Sequence, residues 1–373
     1  MADLTARSAE ANVKLRHLRE LLRARDAQAL VLTRSANFAW LSGGGRAFIA
    51  AAAETGAAWI IVTPDGVRVV SSNIEAMRLR AEELYGLDWE LTATPWWESG
   101  GVTAAVERLL PAAGRLADAP LQGTTDVGAE LVALRTRLEP EEQIRAASLG
   151  QALAVSLENC CQAIRPGETE DAIAGRLAEG CLARGIEPVV HLIAADERAL
   201  TRRHPLPTGR VVRHLALVAA CGMRDGLVLS ASRLVHFGQP AAGLVRRWTA
   251  AAEVSAEMIA ATVPGATAGD VMAAAQTAYA RLGFADEWRN HHQGGLAGYA
   301  SRESRVVPGS NAPISVAQLY AWNPSLPGAK SEDTVLTTAA GEPTNLTQTG
   351  NWPLRAVRTS GGTVVRRPEV LLL

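Results

Sequence analysis

The spacing of apolar and polar residues predicts an α/β domain at the start of the chain. Residues 8–25 carry leucines three and four positions apart, which is the period of an amphipathic helix. Two short apolar segments flank Pro64-Asp65-Gly66, a sequence typical of a hairpin turn. We predict helices at 8–25, 74–85 and 102–110, and strands at 29–33, 59–63 and 67–70.

A change of pattern marks the end of this domain. Residues 111–127 are rich in Pro, Gly, Ala, Thr and Asp, which is typical of a linker. Pro140-Glu141-Glu142 then opens a helical pattern that continues to about Ala163, because proline and acidic residues suit the first turn of a helix. We therefore place the boundary near residue 138 and predict two domains, 1–138 and 139–373.

The second domain contains an internal repeat. Residues 166–185 and 264–283 share proline, glycine, threonine and a final glycine at the same offsets. In both copies the threonine of a Pro-Gly-x-Thr turn is a candidate N-cap, and the final glycine is a candidate helix end. Two copies are too few for a solenoid. They predict a domain of two related halves, with a site where the halves meet.

Composition excludes several classes of protein. The 373 residues include 37 basic and 38 acidic ones, so the chain lacks the basic surplus of a nucleic-acid-binding protein. No apolar run has the length of a membrane span, and residues 1–8 do not have the pattern of a signal peptide. Four cysteines without a CxxC pair indicate neither a disulfide scaffold nor a cysteine zinc site. We expect a cytoplasmic protein that binds neither nucleic acid nor membranes.

Five short motifs, in order along the chain, carry a family resemblance. They are residues 35–43 (SANFAWLSG), 137–144 (RLEPEEQI), 165–170 (RPGETE), 203–207 (RHPLP) and 331–334 (SEDT). Together with the repeat they resemble the creatinase / aminopeptidase P / prolidase family, peptidase M24, over nearly the whole chain. The resemblance implies an α+β fold, in which an N-terminal creatinase-like α/β domain precedes a duplicated pita-bread domain. It also implies a homodimer.

Most members of this family bind two metal ions through two aspartates, a histidine and two glutamates. The corresponding positions here hold Ala220, Ser230 or Ala231, Leu296, Asn323 and Glu332, so only one carboxylate remains. Two hard cations need several anionic oxygen ligands. We therefore predict no dinuclear metal centre, no metal-ligating residue and no cofactor. Asp225 is the alternative ligand if the register differs.

The resemblance also assigns candidate catalytic residues. His204 resembles the histidine that transfers a proton in creatinase, which needs no metal, and His292 resembles a histidine that contacts the substrate. An imidazole suits this chemistry because its unperturbed pKa is about 6.5. Glu332 is the third candidate catalytic residue, and Lys330 shares its face in a strand and would neutralise part of the missing metal charge. Candidate substrate-binding residues are His291, Tyr299, Arg302, Glu303, Asn323 and Lys330. Each histidine is alternatively a structural residue of its loop.

These residues lead to one functional hypothesis and two rivals. We expect a metal-independent, creatinase-like hydrolase that cleaves an amide- or amidine-type C–N bond of a small-molecule substrate. The first rival is a non-catalytic pseudo-peptidase that only binds a ligand. The second is a metal-dependent Xaa-Pro aminopeptidase or prolidase with displaced ligands, which elemental analysis would identify.

Overall fold

A computed structural model describes residues 4–373, and its contacts divide the chain into two compact units. The first unit extends to Glu142 and includes Asp225–Leu227, and the second comprises Gln143–Arg224 and Val228–Leu373. Residues 1–3 lie outside the described residues. They are the start of the predicted first domain and of the segment in which no signal peptide is expected. Among the described residues, no helix combines the length and the apolar character needed to cross a membrane.

The described helices and strands alternate along most of the chain. The helices are α1 Leu4–Ala24, α2 Ser35–Leu41, α3 Asn73–Arg78, α4 Gly101–Leu109, α5 Gly128–Arg135, α6 Pro140–Gln162, α7 Glu170–Leu182, α8 Glu197–Thr201, α9 Ala242–Ala261 and α10 Ala268–Arg281. A π-helix covers Leu79–Glu83 and a 3₁₀-helix covers Glu287–Asn290. The strands are β1 Ala29–Arg34, β2 Thr55–Val62, β3 Val67–Ser72, β4 Glu90–Thr94, β5 Arg115–Ala117, β6 Thr125–Asp126, β7 Glu187–Ala195, β8 Leu215–Arg224, β9 Leu227–His236, β10 Gly294–Ala297, β11 Ser304–Arg305, β12 Leu319–Trp322, β13 Ser325–Leu326, β14 Ala329–Lys330, β15 Asp333–Leu336, β16 Thr344–Asn345, β17 Leu354–Arg358, β18 Val364–Pro368 and β19 Leu371–Leu372.

The first unit is built on a six-stranded mixed sheet with the order β4-β3-β2-β1-β5-β6. Strand β2 pairs antiparallel with β1 and β3, whereas the other neighbours are parallel. The predicted helices and strands of this domain are confirmed, with one refinement: the helix predicted at 74–85 is α3 followed by the π-helix.

The interpretation of residues 111–127 as a linker is wrong. Strands β5 and β6 lie within this segment and extend the sheet parallel to β1. Leu116 and Ala117 are buried there. A strand of three residues between prolines and glycines is too short to show an alternating pattern, so the composition of its surroundings concealed it.

The second unit contains both copies of the repeat, and their helix starts follow the predicted chemistry. The Thr169 side chain accepts a hydrogen bond from the backbone N–H of Ala172 at the start of α7. Thr267 does the same for Asp270, whose carboxylate accepts in return from the Thr267 N–H, which completes a capping box. Gly185 and Gly283 have positive φ just after the two helices. The predicted caps and helix ends are therefore confirmed.

Each helix pair of the repeat precedes strands of a different sheet. Strands β7, β8 and β9 follow α7 and form a four-stranded sheet in the order β19-β9-β8-β7. Strands β10, β12 and β15 follow α10 and form a five-stranded sheet in the order β11-β10-β12-β15-β16. Trp322 and Tyr279 are fully buried in the core between α9, α10 and the second sheet. The fold is thus the α+β arrangement expected from the sequence.

Two adjacent glycines allow β10 to lie close to its neighbours. Gly294 has φ +113° and Gly295 has φ +156°, values that side-chain-bearing residues rarely adopt. A Cβ on Gly294 would lie 2.1 Å from the carbonyl oxygen of Ala321, and a Cβ on Gly295 would lie 2.1 Å from that of Ser304. The segment that precedes β10 carries two of the candidate histidines, so these glycines fix where those side chains begin.

We expect Gly294→Ala to lower the free energy of unfolding by more than about 2 kcal/mol, because it adds both backbone strain and a clash with backbone. Gly175→Ala is the matched control: Gly175 lies inside α7 with open space around its Cα. That substitution should raise stability by about 0.5–1 kcal/mol. Urea denaturation of the two variants measures both effects, and equal stability of the two would contradict the close packing of β10.

Candidate active site

Three imidazoles meet in the second unit. His204 lies in the segment between α8 and β8, and His291 and His292 lie between the 3₁₀-helix and β10. The Nε2 atoms of His204 and His291 are 3.0 Å apart and share one hydrogen bond. The ring of His292 stacks on that of His291, with centroids 4.5 Å apart, and its centroid is 5.7 Å from that of His204. His204 is exposed, whereas His291 is buried behind it.

One ion pair holds the two histidine segments together. The guanidinium of Arg203 pairs with the carboxylate of Glu287 and also donates to the Ser325 hydroxyl at 3.2 Å. Glu287 accepts a further hydrogen bond from the Asn290 side chain at 3.2 Å. Because Arg203 precedes His204 and Asn290 precedes His291, this carboxylate fixes the approach of the two imidazoles.

Gln293 fixes the backbone of the histidine pair from the other side. Its amide Nε2 donates to the carbonyl oxygen of His291 at 2.5 Å, and its Oε1 accepts from the hydroxyl of Tyr279 at 3.0 Å. Its carbonyl oxygen accepts from the backbone N–H of Asn323 at 3.0 Å. Sequence reasoning missed both Gln293 and Arg203, although each is directly adjacent to a candidate histidine.

All three imidazoles are biased towards the neutral form. Burial, and then the positive charge of Lys330, lowers the pKa of His204 below its usual value and lowers the pKa of His291 to about 2. Burial, and then Arg302, lowers the pKa of His292 to about 4. The rings are therefore mostly uncharged at neutral pH, and the uncharged imidazole is the form that accepts a proton.

A buried triad of charges contains the remaining carboxylate. The two oxygens of Glu332 lie 3.0 Å from the guanidinium of Arg302 and 3.1 Å from Nζ of Lys330. The three side chains are at most 9% exposed. Burial alone would raise the pKa of Glu332, but the two cations outweigh it and hold that pKa below its usual value. Glu332 is thus an ionised carboxylate with both oxygens engaged.

The same guanidinium reaches a position where the family resemblance implies an aspartate. Arg302 donates to the hydroxyl of Ser230 at 3.2 Å, and that oxygen lies 3.1 Å from the sulfur of Cys221. Sequence reasoning did not identify Cys221, whose proximity to Ser230 depends on the pairing of β8 with β9.

The donor set does not fit two hard metal ions. Ala220 lies in β8 and Leu296 in β10, and neither side chain has a donor atom. The oxygens of Glu332 already bind two cationic side chains, and Asn323 contributes only a neutral amide. Asp225, the alternative ligand, lies in the turn between β8 and β9 and belongs to the first compact unit.

The other predicted site residues have identifiable surroundings. The backbone N–H of Tyr299 donates to the carboxylate of Glu303 at 2.9 Å, so Glu303 closes the turn that contains Arg302. Asn323 is 2% exposed, and its Oδ1 has no hydrogen-bond partner among the described residues. The structure thus groups the candidates as a histidine cluster (His204, His291, His292), a charge triad (Arg302, Lys330, Glu332) and two flanking polar positions, at Asn323 and at the Tyr299–Glu303 turn.

Comparison with known proteins agrees with this architecture. Residues 142–339 match the model for metallopeptidase family M24, and residues 14–143 match the creatinase/prolidase N-terminal domain. Comparison with curated protein sequences found no significant match.

Solved structures share the fold at low identity. A dipeptidase, PepE, from Mycobacterium ulcerans is 18% identical, with 98% of each chain covered and a TM-score of 0.77. The prolidase from Pyrococcus horikoshii OT3 is 15% identical over 90% of this chain and 98% of its own, with a TM-score of 0.78. The N-terminal domain of FACT complex subunit SPT16 from chickpea, Cicer arietinum, is 13% identical over 94% of this chain and 97% of its own, with a TM-score of 0.70.

The family match spans more than half of the chain, and the structure has the fold and the two-part organisation that go with it. This chain therefore belongs to metallopeptidase family M24, a family of hydrolases, although its donor set departs from that of a dinuclear centre.

Proposed function

We propose that this chain is a metal-independent hydrolase that cleaves a C–N bond of a small molecule. The hydrogen bond between His204 and His291 is the observation that carries the proposal, and the pairing of Glu332 with two cations of the chain supports it. Family membership supports hydrolysis as the reaction class. The charge triad supports a reaction centre that needs no metal cation, because Arg302 and Lys330 already pair with Glu332.

His204 is the proposed general base and acid. It is the exposed member of the histidine cluster, so it can reach both a substrate and a water molecule. With Nε2–H donating to Nε2 of His291, the Nδ1 atom of His204 keeps its lone pair and takes the proton of the attacking water. The water oxygen then bonds to the substrate carbon, and the imidazolium returns the proton to the leaving nitrogen as the C–N bond breaks.

His291 is a positioning residue in this scheme. It accepts the Nε2–H bond of His204, and that bond strengthens when His204 becomes a cation. Buried His291 is held by Gln293, so it fixes the ring orientation of His204 much as the third group of a catalytic triad does. His292, stacked on His291, is the proposed second group that contacts the reacting carbon's oxygen.

The polar surroundings suit a small substrate with an amide or amidine group. The Oδ1 atom of Asn323 is a buried acceptor without a partner among the described residues, so an N–H of the substrate can satisfy it. Lys330 and Arg302 supply positive charge for an anionic group, and Glu332 holds them in place rather than binding a cationic substrate itself.

The first test is a screen of small amides, amidines and dipeptides with detection of the released amine. His204→Ala should lower kcat/KM by about 10²–10⁴-fold on any substrate found, because it removes the general base. His214→Ala is the matched control, an exposed histidine outside the cluster. Undiminished turnover by His204→Ala refutes the assignment. Ligand-induced thermal shifts without any product favour the binding-protein alternative.

The pH dependence of kcat/KM is a second test. Because the pKa of His204 is lowered and the neutral form is active, the rate should rise with pH to a plateau with its midpoint below 6.5. Lys330 lowers that pKa and Glu332 raises it. Lys330→Met should therefore move the midpoint to higher pH and Glu332→Gln to lower pH. Shifts in the same direction in both variants would contradict the proposed base.

Metal dependence is a third test. Exhaustive dialysis against a chelator should leave kcat/KM undiminished, because no step uses a bound metal. Elemental analysis of the purified chain before and after dialysis gives the metal content that accompanies each rate. Loss of activity that two equivalents of a divalent metal restore would establish the metallopeptidase alternative instead.

A further inference from the structure

The histidine cluster has more nitrogen donors than its own contacts use. Its three rings provide six nitrogens, and one hydrogen bond joins two of them. Nδ1 of His291 and Nδ1 of His292 are buried without a hydrogen-bond partner among the described residues. Buried polar atoms are nearly always paired in proteins. These two buried nitrogens, next to the exposed ring of His204, therefore point to a bound ligand.

The geometry of the cluster fits a single transition-metal ion. One nitrogen from each ring can be chosen so that the three atoms lie within 4.8 Å of one another. Tetrahedral zinc with Zn–N bonds of about 2.0–2.1 Å requires nitrogens about 3.4 Å apart, which lies inside that 4.8 Å limit. Three imidazoles are a common donor set for zinc that also binds water, and exposed His204 provides the entry path.

We propose that His204, His291 and His292 bind one divalent ion of the zinc class, and that this ion inhibits the hydrolysis proposed above. The binding stands on the cluster alone, whereas the inhibition rests on the proposed function. A neutral imidazole has one free lone pair, so a metal bonded to either nitrogen of His204 leaves that ring with no lone pair to accept the proton from water. This site uses three neutral nitrogens, so it differs in donor type from the carboxylate centre that the family resemblance implies.

The surrounding charges decide which ions bind and how tightly. Imidazole donors favour zinc, copper and nickel over magnesium and calcium, which prefer oxygen. Lys330, Arg302 and Arg305 are the cationic neighbours, and Glu332 offsets part of their charge. Their repulsion weakens zinc binding relative to the same three ligands in a neutral setting, so a variant that removes one positive charge should bind more tightly.

The decisive experiment titrates the full chain with ZnCl₂ against a chromophoric chelator. We expect one zinc per chain, and magnesium should not compete with it. His204→Ala should weaken binding at least about 100-fold, more than is usual for a residue outside the coordination sphere, and it should keep its fold because His204 is exposed. His214→Ala should bind as the wild type does, and Lys330→Met should bind several-fold more tightly.

A second measurement replaces zinc by cobalt, whose visible spectrum reports coordination number and ligand type without any activity. An intense tetrahedral spectrum that disappears in His291→Ala and in His292→Ala supports the site. No bound ion, or binding unchanged in His204→Ala, overturns it.

The inhibition is tested separately, by measuring the rate of hydrolysis in the presence of zinc. If zinc binds with the expected stoichiometry but does not slow a confirmed hydrolysis over the same concentration range, the inhibition is wrong and the binding site stands. If no hydrolysis exists, the proposed function fails while the zinc and cobalt titrations still decide the site.

Discussion

The pairing of Glu332 with Arg302 and Lys330 is the interaction on which the site depends. A buried carboxylate that lacks a partner is strongly destabilising, and two charged hydrogen bonds from opposite sides remove that penalty. Arg302 extends the pairing to Ser230 in β9, and Lys330 brings β14 into it. The triad therefore joins segments that are far apart in the chain, and it brings to the site the positive charge that metals supply in a dinuclear enzyme.

The character of the histidine cluster follows from this charge. Burial lowers the pKa values of all three imidazoles, and Lys330 lowers them further, as Arg302 does for His204 and His292, so the rings are biased towards the neutral form. The same cations oppose a second positive ion. The charges of Lys330 and Arg302 thus favour the proposed histidine chemistry, and they also limit how tightly the proposed zinc ion can bind to the imidazole nitrogens.

Local chemistry explains how much the sequence could predict. The Pro-Gly-x-Thr turns carry their capping residues within four positions, so both helix starts were predictable. Strand β5 was not, because three residues show no period. In the site, Lys330 and Glu332 are only two positions apart, although Glu332 lies between β14 and β15 and shares no strand with Lys330, whereas Arg302 is 30 residues from Glu332 and His204 is 87 from His291. Sequence reasoning indicated each of these residues singly, but only the fold shows which of them touch.

The contact between Arg302 and Ser230 also bears on how such a site can change over time. An aspartate at position 230 would meet the guanidinium of Arg302, and it would form a salt bridge there. A carboxylate at position 230 would thus give Arg302 a second anionic partner, whereas loss of Arg302 would leave Glu332 with Lys330 as its one cationic partner in the triad. Substitutions at position 230 and at Arg302 therefore act on the same charge balance, so their effects on the site should be coupled rather than additive.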